Sequence, residues 1–412
     1  MATRASGARA PRDRTRAAGR HGAESATVDL VLCGGGLQNA LVATALFGAP
    51  GLAPGRAPPR TALLERTTIG GNHTWCCYES DLSPAMRRQV APLVSRRWAG
   101  YEVRFPGYRR RLATPYLMIA SEHLRRVVRT LLSDRPDALV WEHAPVARLV
   151  PGRALLDDGR RVAGHTIVDA RGADRHAEHC GYQKFYGEEV TLEAPHGLDR
   201  PLVMDATVPQ QDGFRFMYVL PLSPRRALIE DTSFSDGPEL DVEQRRAGIA
   251  AWMAHHRWRA AAVTRTERGV LPMPWRMPAP APRPVPGVIR GGYGGGWFHP
   301  GTGYSLPQAA ELAALVATTP LPHLCTAAAA ARRHLQRRAR FCCMLNRLLF
   351  QAYPPEARRN IFERFFRLPE PTIRRFFSMR LRGSDKIRLL AGRPPRGLSP
   401  RRRRAAGAAA SP

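Results

Sequence analysis

The segment Val28-Asp29-Leu30-Val31-Leu32-Cys33-Gly34-Gly35-Gly36-Leu37-Gln38-Asn39 decides the fold. Its first six residues are a short, largely apolar run of strand type, three glycines follow, and residues 37–46 predict a helix. In such a unit the backbone N–H groups at the helix start meet a pyrophosphate, and side chains at the first two glycine positions would block its approach. Gly34 and Gly36 hold those positions, and Asn39 stands where a third glycine is expected. A plain glycine turn packing strand to helix remains the other reading.

Working outward, a second predicted strand, residues 61–64, ends in Glu65. A carboxylate there accepts ribose hydroxyls, and its distance from Gly36 is a little longer than the spacing of about 20 residues usual for such sites. The alternative is a solvated charge at a strand end. Far along the chain, Gly294-Gly295-Gly296-Trp297-Phe298-His299-Pro300-Gly301-Thr302-Gly303-Tyr304-Ser305 again runs into a predicted helix. Its N–H groups can approach another part of the same cofactor, so Gly294, Gly296, Gly301 and Gly303 join Gly34, Gly36, Asn39 and Glu65 as candidate cofactor contacts. Two such segments favour FAD over NAD as the tightly held group. His299 is either a flavin contact or a side chain that fixes the turn. Asp169-Ala170-Arg171-Gly172, after a predicted buried strand over residues 166–170, either closes the cofactor site or caps a helix.

From Pro201 the pattern changes to strands over residues 202–208, 214–220 and 226–232, separated by Gln211-Asp212-Gly213 and Ser223-Pro224. The fold class is α/β: a Rossmann-type FAD-binding domain with an inserted antiparallel β-sheet substrate domain and C-terminal helices. The expected division is a disordered basic extension (1–27), the first part of the FAD-binding domain (28–200), the antiparallel catalytic region (201–271) and a return to the FAD-binding domain (272–332). Basic amphipathic helices that dock on a membrane (333–395) and a disordered basic tail (396–412) complete it. Residues 272–286 are proline-rich and read as a surface connection.

Leu228-Ile229-Glu230-Asp231-Thr232 places adjacent carboxylates on opposite faces of a strand. An acid in an apolar strand is costly unless paired or protonated. If Glu230 faces an apolar pocket, desolvation lets it hold a proton at neutral pH. If it does not, Arg215 on the neighbouring strand is available to pair with it.

The 412 residues carry a formal charge of +29, and Lys184 and Lys386 are the only lysines. A body this basic is drawn to polyanions or anionic bilayers. Aromatic residues among the C-terminal arginines, from Phe341 to Phe377, favour a membrane lipid surface over nucleic acid. Seven cysteines in no CxxC spacing indicate a reduced, cytosolic protein, and no metal site is expected. Residues 1–27 lack the apolar centre of a secretory signal, and glycines, Pro50, Pro320 and Pro322 interrupt the two longest apolar stretches. A cytoplasmic protein peripheral on the cytoplasmic membrane is the expectation.

Several motifs together resemble the bacterial lycopene β-cyclases over residues 28–395. They are residues 29–39, Gly70-Gly71-Asn72-His73-Thr74-Trp75, Pro195-His196-Gly197-Leu198, Met204-Asp205-Ala206-Thr207-Val208, Pro221-Leu222-Ser223-Pro224, residues 228–232 and residues 299–307. The resemblance implies a flavoprotein that holds reduced FAD non-covalently, with NAD(P)H as reductant, and acts on lycopene and related acyclic carotenes. It implies that Glu230 is the acid/base of a redox-neutral cyclisation, which protonates the terminal double bond and recovers a ring proton as the β-ionone ring closes. His73, Trp75, Asp205, Phe216, Tyr218, Trp297 and His299 are the candidate substrate contacts, aromatic faces adding cation–π attraction of about 0.5–2 kcal/mol each. The competing reading is a flavin-dependent hydroxylase or reductase of an isoprenoid lipid on the same fold. Cys76-Cys77 and the proline-rich segment depart from the family pattern.

Overall fold

The computed structural model describes residues 25–48, 57–133, 135–172, 179–279 and 283–391. The expectations for residues 1–24 and 396–412 lie outside these residues. Residues 25–27, expected in the disordered extension, instead begin the first strand and pair with residues 161–163.

The first sheet contains β1 (Ser25–Cys33), β2 (Thr61–Leu64), β8 (Ala138–Trp141), the hairpin β9 (Val146–Val150) and β10 (Arg153–Leu156), β11 (Arg161–Asp169) and β17 (Val288–Arg290). Strands β8, β2, β1, β11 and β17 run parallel in that order. The C-terminal half of β1 has no exposed residue, because both faces of a parallel sheet are covered. Helix α1 (Leu37–Phe47) is buried along its whole length and packs on α5 (Leu306–Thr318). The turn between β1 and α1 needs glycine: Gly34 has φ of +93°, and a Cβ there would meet the Ala170 carbonyl oxygen at 2.7 Å.

A small sheet pairs β3 (Thr74–Tyr78) and β4 (Arg96–Trp98) with β7 (Tyr116–Ala120). The large sheet, antiparallel except for the parallel β13–β5 pair, has the order β16–β12–β15–β14–β13–β5–β6. Its strands are β5 (Tyr101–Phe105), β6 (Tyr108–Leu112), β12 (Cys180–Leu192), β13 (Leu202–Asp205), β14 (Phe214–Ser223), β15 (Arg226–Ser235) and β16 (Ala260–Pro274). This sheet is wider than the expected region 201–271: β5, β6 and β12 lie before it, and β16 passes beyond it. Strand β12 carries Lys184, Glu188 and Glu189, which break its apolar pattern and hid its place between β15 and β16. Helix α4 (Val242–His255) covers one face through Ile249 and Trp252.

The remaining helices are α2 (Pro84–Val90), α3 (Ser121–Ser133), α6 (Leu321–Arg347), α7 (Arg358–Phe366), α8 (Glu370–Phe377) and α9 (Gly383–Leu390). The C-terminal phenylalanines correct an expectation. They turn inward: Phe362 stacks on Phe214 of β14 at 4.2 Å between centroids, and Phe366 is buried. Burial among other aromatics outweighs a solvent-facing arrangement, so the apolar face of α7 and α8 roofs the sheet. The exposed large apolar side chains of this region are Ile387 (68 %) and Leu390 (51 %) on α9. No helix among the described residues is long and apolar enough to cross a membrane.

Candidate active site

The two glycine segments meet at one side chain. Gln38, in the first turn of α1, accepts a hydrogen bond from the Gly292 backbone N–H at 3.2 Å and donates to the Ala309 carbonyl at 3.0 Å. At the α1 end, Gly35 N–H donates to Glu65 Oε2 at 2.6 Å, while Glu65 Oε1 accepts from the Thr67 N–H and hydroxyl. Glu65 therefore stands at the glycine turn, as its sequence position requires. The helix start has no side-chain cap, and a Cβ on Gly36 would meet nothing within 4 Å. Free first-turn N–H groups facing open space, with a carboxylate alongside, are the donor set a dinucleotide needs. The residues fit FAD at this end.

Other candidate contacts fall elsewhere. Asn39 is fully buried, and its amide donates to the carbonyls of Cys33 and Gly34 at 3.0 and 2.8 Å. It ties helix to strand where a third glycine would pack closely, and does not face a cofactor. Gly294 and Gly296 belong to a turn closed on itself, Gly296 N–H donating to Tyr293 O and Trp297 N–H to Gly292 O, with Arg332 bound to Gly295 O. Asp169 pairs with Arg171 at 2.8 Å and caps no helix among the described residues.

Gly301 and Gly303 do line a large cavity, together with Thr302 and Ser305 at the uncapped start of α5. The cavity holds about 540 Å³, within the ~300–1,000 Å³ typical of ligand sites. Strands β14 and β15 form its floor, β3 one wall, and α7 to α9 its roof. His73, Trp75, Phe216 and Tyr218 line it as expected. Three candidates do not. Asp205 binds Trp252 Nε1 at 3.1 Å and the Thr207 hydroxyl at 2.6 Å on the α4 side of the sheet. Trp297 is buried in the core beneath α1 and α5, its Nε1 donating to Arg290 O. His299 is a staple: Nδ1 accepts from Gly301 N–H at 3.1 Å and Nε2–H donates to Phe376 O at 3.0 Å. Burial pulls its pKa down to about 4, so it stays neutral.

Glu230 points into this cavity. Its side chain keeps some surface where it borders the cavity, and protein encloses it on the other sides. Arg215 does not reach it: Arg215 binds Asp231, the next residue, at 2.5 Å on the opposite face, and Arg245 completes that cluster at 3.0 Å. Burial, then the charge and hydrogen bond of Glu267, raise the Glu230 pKa well above the usual carboxylate range, against the opposing pull of Arg265. Glu230 is thereby biased toward its protonated form. Opposite it on β14, Tyr218 hydrogen-bonds Tyr116 at 3.0 Å, and Tyr116 reaches Tyr304 at 2.8 Å. Gly187, Glu267, Arg265, Tyr116 and Tyr304 escaped the sequence reading. The alternation of Arg265 and Glu267 on β16 was the available signal, and it resembled a solvated strand.

A mainly parallel sheet with a glycine turn, joined to a mainly antiparallel sheet that floors a cavity, defines an α/β protein of Rossmann type. Solved structures share this fold. A geranylgeranyl bacteriochlorophyll reductase-like protein from Thermoplasma acidophilum superimposes with a TM-score of 0.61 at 12 % identity, covering 94 % of this chain and all of that one. A flavin-dependent brominase does so at 0.59 and 13 %, covering 86 % and 94 %. At such identities the likeness is one of fold. The chain belongs to the lycopene cyclase family, whose model matches residues 29–403. The lycopene beta-cyclase of Pseudescherichia vulneris is 40 % identical over 375 residues, 89 % of this chain and 94 % of that protein. That of a Paracoccus strain is 40 % identical over 384 residues, 90 % and 95 % respectively.

Proposed function

We propose that this protein is a lycopene β-cyclase, an isomerase that closes the linear ends of lycopene into β-ionone rings without net oxidation. The observation that carries the reading is Glu230: a carboxyl with a raised pKa in an apolar cavity, beside a glycine-rich helix start, in a chain of this family. Glu230 gives its proton to the terminal alkene, the neighbouring alkene attacks the resulting tertiary cation, and Glu230 takes back a ring proton. The apolar walls exclude water that would quench the cation, and the faces of Phe216, Tyr218 and Trp75 border the space where it forms.

Gly34, Gly36 and Glu65 would hold the nucleotide part of FAD, and Gly301 and Gly303 the part nearest the cavity. Reduced FAD, with NAD(P)H as its electron source, supplies an electron-rich ring that stabilises positive charge. The net charge of +29 and the exposed Ile387 and Leu390, on a helix that contributes to the cavity roof, support docking on the cytoplasmic membrane, where an apolar polyene is dissolved.

The test is expression in cells that accumulate lycopene, followed by chromatography of the pigments with absorbance spectra. γ-Carotene or β-carotene is expected and reports how many ends react. Glu230→Gln should lower product by about 10²- to 10⁴-fold, the usual contribution of a general acid. Unchanged lycopene with a folded, flavin-loaded protein would overturn the reading.

A further inference from the structure

Gly187 of β12 separates two carboxyl groups. It pairs with Glu230 of β15 on one side and with Glu267 of β16 on the other. A Cβ placed on it would meet Glu230 Cγ at 2.7 Å and Glu267 Cγ at 3.5 Å. Any side chain there would wedge the acids apart; with glycine, they come within hydrogen-bonding reach. Glu267 is buried. Its Oε2 accepts from Arg265 Nη1 at 2.9 Å, while its Oε1 is sealed from solvent without a donor among the described groups. A proton on Glu230 supplies that donor.

Two ionised carboxyls in contact cannot both stay charged in a dry site, so the pair holds one proton. Arg265 decides its place. It is anchored by Glu189 at 3.2 Å, Asn72 at 3.1 Å and Thr74 at 2.9 Å, and bonds Glu267 directly. Glu267 is thereby the carboxylate and Glu230 the acid. The other titratable groups bearing on Glu230 are Tyr218 on β14, Cys76 on β3 and Tyr304 before α5, all held neutral by burial. His73 also stands on the cavity wall.

We propose that Glu267 is a positioning residue for the reaction: across Gly187 it keeps Glu230 protonated at rest and drives the ring proton back to it. The proposal rests on the reading of Glu230 as acid/base. When the Glu230 O–H bond breaks and the alkene gains a C–H bond, the pair passes from one negative charge to two, facing one positive charge on the substrate. When the ring C–H bond breaks, the proton re-forms the O–H bond and the pair returns to one charge. No electron leaves or enters.

The test titrates the protonated-carboxyl C=O band in infrared spectra of the full chain, assigned to Glu230 by its loss in Glu230→Gln. Cyclisation needs the protonated acid, so activity falls as pH rises through the Glu230 pKa. Removing the charge at 267 lowers that pKa. In Glu267→Gln, the infrared midpoint and the alkaline limb of the activity profile should both move down by about one pH unit or more, the size of a close like-charge effect. Gly187→Ala keeps both carboxyls but parts them, and should move the midpoint in the same direction if Glu267→Gln fails to fold. An unmoved midpoint with an inactive Glu230→Gln overturns the pairing alone. Cyclisation retained by Glu230→Gln overturns the acid/base reading and the proposal with it.

Discussion

Glu230 and Asp231 are chain neighbours whose carboxyl groups stand on opposite faces of one sheet, the first in an apolar cavity and the second locked between Arg215 and Arg245. The two-residue period of the strand divides one acidic dipeptide between an apolar cavity and a buried arginine cluster. Each environment dictates a different response to mutation.

Asp231 is fully buried, and Arg245 links it onward to Asp212 and Ser233. Removing one partner of such a cluster leaves uncompensated buried charge at a cost of about 3–5 kcal/mol. Asp231→Ala should therefore lower the thermal midpoint strongly, whereas Glu230→Gln should leave it near wild type. Parallel melts followed by circular dichroism check the contrast.

Gly34 and Gly36 should fail in different ways. Gly34→Ala forces a side chain into φ of +93° and against the Ala170 carbonyl, so the fold itself suffers. Gly36→Ala meets no protein atom but intrudes on the space facing the helix start. It should keep the wild-type melt and lose flavin, read from the absorbance of the purified protein; a fully loaded Gly36→Ala would remove the turn from the cofactor site.

Asp81 lies in a short helical turn after β3, where burial pushes its pKa up to about 8 against the pull of Arg380 and Arg374. The native state then binds a proton that the unfolded state releases near pH 4. Stability from this group is present at low pH and is lost as pH rises toward 8, at about 1.4 kcal/mol per pH unit. Asp81→Asn has no proton to lose, so denaturant titrations should show it more stable than wild type at pH 8 and flatter in pH dependence.

His299 gives the opposite slope. Its folded pKa of about 4 lies below the ordinary 6.5, so its contribution is full above pH 6.5 and is lost as pH falls toward 4. A proton on Nδ1 would face the Gly301 N–H it now accepts from. His299→Gln should flatten the acid side of the stability profile, measured by melts between pH 4 and 7; an unchanged acid slope would remove His299 from that role.

The parallel core was legible because its signals are local. A buried strand, a glycine turn and a helix follow one another within residues 28–47, and Glu65 lies at the next strand end. Strand period alone split Glu230 from Asp231. The partners of Glu230 were not legible, because they are set by pairing between distant strands. Gly187 looks like any strand glycine until β12 is placed between β15 and β16. His299 and Asn39 misled for a related reason: polar residues beside glycines suit both ligand contact and backbone bonding, and here buried carbonyls and N–H groups claim them.

The bridge through Gln38 also governs when this protein becomes complete. One amide joins backbone groups 254 and 271 residues further along the chain. A nascent chain can build the β1–α1 turn early, but the opposing wall does not exist until residues 292–309 have been synthesised. Loops of this length close slowly and leave apolar surface waiting in the meantime. A cofactor held between these two segments would accordingly be captured late in biogenesis, and a chain truncated before α5 would leave α1 without its covering helix.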